Sequence, residues 1–172
     1  MIFTLNAKTA VTSAFKNLSH ATLLAFAATT VLTATAADGP YNEAVDAKAE
    51  IRAALAAAAA TAKPVLVVFG ANWCGDCKML DLAMKGGASA ALIARDYRVV
   101  KVDVGRFDRN LDVAATYGVP LKQGIPAVAV LSPTGAVLYA TQAGELANAR
   151  KMGEPGVHEF FQRVVQSVKL KS

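Results

Sequence analysis

Cys74 and Cys77 are the only two cysteines in this 172-residue chain, and they stand two residues apart in the stretch GANWCGDCKML. The C-x-x-C pattern occurs in zinc sites, in covalent haem attachment and in redox dithiols. The pair directly follows the apolar run from Val65 to Phe69. Its chemistry therefore depends on the other groups that the chain brings beside the two sulfurs.

A zinc or haem site at this motif would need additional ligand residues, and the sequence contains few of them. A zinc site usually has four ligands, and His158 is the only histidine after residue 36, so zinc would need ligands from a second chain. Haem attachment requires C-x-x-C-H, but residue 78 is Lys78. A Cu(I)-binding assembly chaperone stays open, because thiolates suit Cu(I) and Met79 and Met84 lie nearby in the sequence.

A redox dithiol at the start of a helix is the interpretation that the surroundings favour. The run from Val65 to Phe69 is continuous and largely β-branched, which predicts a strand buried on both faces. A short turn follows, and a helical pattern begins at Cys74, where backbone N–H groups and the helix dipole stabilise a thiolate. We expect Cys74 to attack and Cys77, one turn further on, to resolve the mixed disulfide. A purely structural disulfide is the alternative, although so short a loop constrains the unfolded chain little.

Predicted strands and helices alternate around this junction. An alanine-rich helix is expected over 43–61 and an amphipathic helix over 155–170. Alternation of strands with helices, followed by a hairpin and a helix, predicts an α/β domain with a mixed sheet. Between the two outer helices we expect strands over 65–69, 97–104, 127–131 and 136–141, one helix over 78–96 that is interrupted at Gly86 and Gly87, and a helix over 110–118.

The motif WCGDCK after a buried strand resembles the thioredoxin active site, usually W-C-G-P-C-K. The segment GIPAVAVL resembles the loop and strand that carry the family's cis-proline, here Pro126, and SPTGAVL resembles the closing hairpin. The resemblance extends from about Lys63 to Leu170. It implies a thioredoxin-like fold with a central mixed β-sheet flanked by helices, and a thiol–disulfide oxidoreductase with a redox-active Cys74–Cys77 disulfide.

The resemblance also implies roles for the residues around the cysteines. Trp73 would pack beside the dithiol, although it could equally be a core anchor. A cis Pro126 would leave the backbone of Ile125 free to pair with a client strand. No metal or organic cofactor is expected. The implied partners are protein disulfide clients and a membrane or soluble redox partner that recharges the dithiol. The supporting residues of the site are Trp73, Gly75, Asp76, Lys78, Ile125 and Pro126.

Several positions depart from the thioredoxin pattern. Val68 stands where many thioredoxins have a buried acid, and Gly70 stands where they commonly have an aromatic residue. Asp76 replaces the proline between the cysteines, and we expect its carboxylate to repel a Cys74 thiolate and thereby favour a reductase. An oxidase or isomerase is the alternative direction. The stretch 142–156 resembles an insertion before the last helix.

The first 36 residues differ in composition from the rest. They contain no acid, and Lys8 and Lys16 precede a run of small and apolar residues that ends in ATA at 34–36. This layout predicts a secretory signal peptide, with a membrane anchor or a mitochondrial presequence as alternatives. We therefore expect a periplasmic or secreted protein. Its expected parts are a signal peptide over 1–36, an N-terminal alanine-rich helix over 37–62 and a thioredoxin-like domain over 63–172.

The charge pattern says little about partners. The formal net charge is +5, but acids and bases are interspersed and no basic run stands out. A nucleic-acid partner is therefore not expected. The length suits a single domain, and we expect a monomer.

Overall fold

The computed structural model describes residues 39–170, so the predicted signal peptide, residues 1–36, lies outside the described residues. Within this range a four-stranded sheet has the order β2 (Arg98–Asp103), β1 (Val65–Gly70), β3 (Ala127–Leu131) and β4 (Val137–Ala140). Strand β1 pairs in parallel with β2 and antiparallel with β3, which in turn pairs antiparallel with β4. The predicted α/β fold with a mixed sheet flanked by helices is confirmed. The elements are α1 Ala47–Thr61, β1 Val65–Gly70, α2 Gly75–Lys85, α3 Gly87–Asp96, β2 Arg98–Asp103, α4 Leu111–Thr116, a 3-10 turn Leu121–Gln123, β3 Ala127–Leu131, β4 Val137–Ala140 and α5 Ala149–Lys169.

Strand β1 is buried on both faces along its whole length. One face, with Phe69, packs in an apolar cluster with α1, α4 and the two cysteines. The other face, with Leu66 and Val68, packs against α2, α3 and α5. The continuous apolar run was therefore sufficient to predict the central strand. Because β1 ends at Gly70 and α2 begins at Gly75, the cysteines lie just beyond the carboxyl end of this buried strand.

Helix α1 begins four residues later than the alanine-rich pattern suggested. Asp46 caps it: its side chain accepts hydrogen bonds from the backbone N–H groups of Lys48 and Ala49 at 2.9 and 3.1 Å. A carboxylate at this position satisfies N–H groups that have no partner inside the helix. The preceding residues 39–45 therefore lie outside the helix. They run towards the turn between β1 and α2, where the backbone of Tyr41 forms hydrogen bonds with the side chain of Asn72.

Helix α5 begins six residues earlier than predicted and is kinked. Gly153 has φ 61° and a non-helical conformation, and Pro155 follows it inside the helix. A proline is tolerated in the first turn of a helix, where its missing N–H has no partner to lose. The kink separates a first turn, which carries Arg150, from the long amphipathic part. No helix within residues 39–170 is long and apolar enough to cross a membrane.

Candidate active site

Cys74 and Cys77 form a disulfide at the junction of β1 and α2, with their Cα atoms 5.2 Å apart. Cys74 is the N-cap residue of α2, and Cys77 lies in its first turn. Their exposures differ: Cys74 is 6% exposed and Cys77 is 0% exposed. The small exposed surface of the pair therefore belongs to Cys74 alone, which makes it the residue that an incoming thiolate or client disulfide meets first.

The N-cap position also gives the Cys74 sulfur a hydrogen-bond donor. The backbone N–H of Cys77 points at Cys74 Sγ over 3.1 Å. In the reduced protein the same donor, together with the positive end of the helix dipole, stabilises a thiolate at Cys74. This geometry supports the predicted order, in which Cys74 attacks and Cys77 resolves.

The loop before β3 meets the disulfide from the opposite side. Cys74 Sγ lies 3.7 Å from the carbonyl oxygen of Ile125, and the Ile125–Pro126 peptide bond is cis. Both residues are buried, and β3 starts directly after them at Ala127. The structure thus brings together two sequence motifs that lie 51 residues apart.

Trp73 lies on the rim of the site and is not a core anchor. It is 51% exposed, and its indole N–H donates a hydrogen bond to the carbonyl of Gly105 at 2.7 Å. Phe107 packs edge-on against it with ring centroids 6.1 Å apart, and the guanidinium of Arg106 lies 5.9 Å from the ring centroid. The loop after β2 therefore fixes this indole beside the dithiol.

Asp76 does not act as an isolated negative charge, which corrects the sequence-based argument about it. Its carboxylate accepts hydrogen bonds from the backbone N–H of Arg150 at 2.9 Å and from its guanidinium at 3.1 Å. Burial alone would raise the pKa of Asp76, but the hydrogen bonds and charge of Arg150 outweigh it and hold the pKa below its ordinary value. The repulsion expected between Asp76 and a Cys74 thiolate is therefore largely neutralised.

Arg150 also covers the residue between the cysteines. A Cβ added at Gly75 would lie 3.3 Å from its guanidinium, so a larger residue next to Cys74 would push the guanidinium aside. Lys78 is exposed on the first turn of α2. Sequence reasoning missed Arg150, and its only signal was the insertion-like stretch 142–156, which supplies the extra turn of α5.

Tyr41 fills the space that Gly70 leaves open. A Cβ on Gly70 would overlap the Tyr41 phenol and lie 3.0 Å from Cys77 Sγ. The sequence showed that the usual aromatic was missing after the strand, but it did not show that an aromatic ring enters the same region from an earlier segment. Burial, reinforced by the nearby carboxylates of Asp81 and Asp103, raises the pKa of Tyr41 above its ordinary value. The phenol is therefore neutral.

Two carboxylates lie near Tyr41. Asp81 forms an ion pair with Lys101, whose side chain is only 21% exposed. Asp103 is 5% exposed and lies opposite Gly70 in the register of β1 and β2. Burial raises the pKa of Asp103, although the backbone N–H of Gly105 donates to it at 3.1 Å. No acid occurs at Val68, but α2 and β2 supply carboxylates near the site.

Metal-ligating side chains do not gather in the described part of the chain. Residues 39–170 contain no group of three or more His, Cys, Asp or Glu side chains that could hold a metal ion. Met84 is buried in the apolar cluster beneath α2 and α5. Met84, one of the two methionines near the cysteines, is therefore part of the core, and the Cu(I) hypothesis depends mainly on the two cysteine sulfurs.

Known proteins resemble this chain in sequence and in fold. A thioredoxin-like family model matches residues 46–133. A thioredoxin of Pseudomonas aeruginosa is 38% identical over 88 residues, which are 51% of this chain and 71% of that protein. The crystal structure described as a disulphide isomerase from Xylella fastidiosa is 50% identical, with a TM-score of 0.71 over 74% of this chain and 97% of that chain.

These findings place the molecule in a class. The fold and the C-x-x-C disulfide at the start of α2 define a thioredoxin-like thiol–disulfide oxidoreductase. The chain belongs to the thioredoxin-like family. The family match begins at Asp46, the cap of α1, whereas the resemblance recognised in the sequence begins at Lys63.

Proposed function

We propose that this protein is an exported thiol–disulfide oxidoreductase that acts in its dithiol form on protein clients, mainly to reduce their disulfides. The observation that carries the dithiol mechanism is the asymmetry of the two sulfurs, and the reductive direction is the part that the reduction potential tests. Cys74 lies at the N-cap with access from solvent, and Cys77 is fully buried behind it. Such a pair can attack with one sulfur and resolve with the other.

The cycle balances as two exchanges. The Cys74 thiolate attacks one sulfur of a client disulfide, the client S–S bond breaks, and the other client sulfur leaves as a thiolate. The Cys77 thiolate then attacks Cys74 Sγ, so that the Cys74–Cys77 bond forms and the Cys74–client bond breaks. Two electrons pass to the client. A membrane or soluble redox partner must then supply two electrons to reduce the Cys74–Cys77 disulfide again.

A surface beside the sulfurs suits an extended client segment. Three large apolar side chains are exposed around it: Trp73 by 51%, Phe107 by 41% and Leu111 by 44%. Phe107 and Leu111 border a groove of about 600 Å³ that continues along Val119 to Lys122 and Gly124. The groove leads to Ile125, whose carbonyl lies beside Cys74 and is placed to accept a backbone hydrogen bond from the client. These contacts would hold the client disulfide against Cys74.

Export is part of the proposal and rests on the composition of residues 1–36. A periplasmic or secreted location would give the protein clients that form disulfides, because those compartments are oxidising. We also propose that the protein is a monomer. The residues proposed to support the dithiol are Gly75, Asp76, Lys78 and Pro126.

Isomerisation is a second candidate. The Xylella fastidiosa protein described as a disulphide isomerase is 50% identical to this chain and is covered almost completely. An isomerase shares the first step, since its thiolate also attacks a client disulfide. It differs afterwards, because another thiol of the client resolves the mixed disulfide and the electrons stay with the client.

The test measures two activities and the reduction potential of the purified protein. Catalysed reduction of insulin by dithiothreitol measures the reductase, recovery of scrambled ribonuclease measures the isomerase, and glutathione equilibration gives the reduction potential. A potential near −270 mV is typical of thioredoxin and one near −120 mV of a strong oxidant. We expect insulin turnover that Cys74→Ser abolishes. Tight Cu(I) binding without any turnover would instead support a copper chaperone.

A further inference from the structure

Residues 39–46, here called the strap, hold Tyr41 against the active-site turn. The side chain of Asn72 forms two hydrogen bonds with the backbone of Tyr41. Its amide oxygen accepts from the Tyr41 N–H at 3.0 Å, and its amide nitrogen donates to the Tyr41 carbonyl oxygen at 2.8 Å. The same amide donates to Glu43 at 3.0 Å. Because Asn72 stands two residues before Cys74, the strap and the dithiol are fixed to one another.

The Tyr41 side chain enters the space beside Gly70, which the buried sulfur of Cys77 also borders. Its hydroxyl and Cys77 Sγ both lie within 3.0 Å of the position that a Cβ on Gly70 would take. Tyr41 is 1% exposed and Cys77 is 0% exposed. The phenolic O–H and the resolving sulfur therefore line the same small space beside Gly70, and both residues are buried.

A thiolate at Cys77 needs such a donor. A buried anion without a hydrogen bond is costly, and both steps that involve Cys77 pass through its thiolate. The charged neighbours on the adjoining elements are poor candidates: Asp81 and Asp103 only accept when ionised, and Lys101 is already paired with Asp81. Tyr41 keeps its proton, since burial and the two carboxylates raise its pKa.

We propose that the Tyr41 hydroxyl donates a hydrogen bond to the Cys77 sulfur whenever that sulfur carries negative charge. This inference rests on the proposed function, because it concerns the resolving step of the same cycle. In resolution the Cys77 thiol gives up its proton, its thiolate attacks Cys74 Sγ, and the client sulfur departs with the electron pair and takes up a proton. In recharging, the Cys74–Cys77 bond breaks and Cys77 leaves as a thiolate, which takes up a proton in exchange for the one that the thiol of the redox partner loses. Tyr41 keeps its own proton in both directions.

The test separates the two sulfurs in time. Excess reduced protein is mixed with 5,5′-dithiobis(2-nitrobenzoate) in a stopped-flow instrument, and release of the coloured thiolate is followed. The first phase reports attack by Cys74, and the second reports displacement by Cys77. Loss of one hydrogen bond to a thiolate, partly offset by the greater nucleophilicity of a more basic sulfur, should slow the second phase about three- to tenfold in Tyr41→Phe. The first phase should be unchanged.

The controls distinguish this role from a structural one. Tyr97→Phe removes another buried hydroxyl, which has no hydrogen-bond partner in the structure, and should leave both phases unchanged. Asn72→Ala releases the strap and should slow the second phase selectively. A second phase at the wild-type rate in Tyr41→Phe, or equal slowing of both phases, would overturn the inference. Absence of either phase in the wild-type protein would instead contradict the proposed function.

Discussion

The carboxylate of Asp76 lies 2.9 Å from the backbone nitrogen of Arg150 and 3.1 Å from its guanidinium, although 74 residues separate them in the sequence. This contact joins the first turn of α2 to the first turn of α5. It places a cation and an anion together beside Cys74. The stability of the Cys74 thiolate therefore depends on the pair, and neither charge can be judged alone.

Substitutions in this pair should move the reduction potential in opposite directions. Asp76→Asn leaves the Arg150 charge unopposed, which should lower the Cys74 pKa and make the disulfide more oxidising. Arg150→Gln leaves the Asp76 charge unopposed and should do the reverse. One pKa unit corresponds to about 1.4 kcal/mol and to about 30 mV for this two-electron couple. Thiolate absorbance titration and glutathione equilibration measure both quantities.

Arg163→Gln is a matched control for these variants, because Arg163 is an exposed arginine on α5 that pairs with Glu159. It should leave the potential unchanged. Shifts of the same sign in Asp76→Asn and Arg150→Gln would show that the pair does not tune the dithiol.

The reduced protein should react with alkylating reagents at Cys74 first. Cys77 is fully buried, and only Cys74 lies at the helix N-cap. Iodoacetamide at neutral pH followed by mass mapping checks the order. Cys77→Ala should trap mixed disulfides with clients, and Cys74→Ala should not. Preferential labelling of Cys77 would reverse the assignment.

Gly70 should be coupled energetically to Tyr41. Gly70→Ala should lower the free energy of unfolding by about 1–3 kcal/mol, because the added methyl group overlaps the phenol. The same change should cost less in a Tyr41→Ala background, where the ring is gone. Gly86→Ala is the control, since a Cβ there would come no closer than 3.4 Å to any neighbour. Denaturant unfolding of the four variants of the double-mutant cycle measures the coupling, and strictly additive costs would rule out the contact.

Acid should remove the stabilisation that the Asp81–Lys101 pair provides. Burial would raise the pKa of Asp81, but hydrogen bonds from Lys101 and Lys85 hold it below its ordinary value. Since the folded pKa lies below the unfolded one, this stability is present above about pH 4 and is lost as the pH falls through the folded pKa. Asp81→Asn should lower the free energy of unfolding by about 1–3 kcal/mol at pH 7 and weaken its fall towards low pH.

Asp112→Asn serves as the control for this experiment. It breaks the surface pair with Lys48, in which both side chains are more than half exposed, so no measurable change in stability is expected. Parallel acid-denaturation curves for wild type and Asp81→Asn would contradict the prediction.

The exposed apolar side chains near Trp73 should matter for protein clients and not for small disulfides. Phe107→Ser and Leu111→Ser should each raise KM for insulin several-fold, because they remove apolar contact area. Reaction with oxidised glutathione should be unchanged. Leu82→Ser, at a residue that is 67% exposed and lies outside the groove, should affect neither substrate. Equal effects on both substrates would show that the groove shapes the dithiol and does not bind the client.

The sequence predicted the fold through patterns that are local. The apolar run of β1 and the glycines that separate α2 from α3 were recognisable because strand burial and helix termination act over a few residues. The ends of elements were less predictable. Helix α1 starts at the cap that Asp46 provides, and α5 starts before Gly153, because a kink allows one more turn to form.

By itself the sequence determined the dithiol, its place between a buried strand and a helix, and the order in which the elements follow. Those features depend on spacings within one strand or one helical turn. Tertiary structure alone decided that Arg150 would neutralise Asp76 and that Tyr41 would occupy the space above Gly70. Both contacts join segments that are distant in the chain. The sequence shows that a charged or aromatic residue is present, but its contact partner is set only by the packing of the folded core. The surroundings that tune the two sulfurs therefore arise from packing, whereas the sulfurs themselves are set by the local pattern.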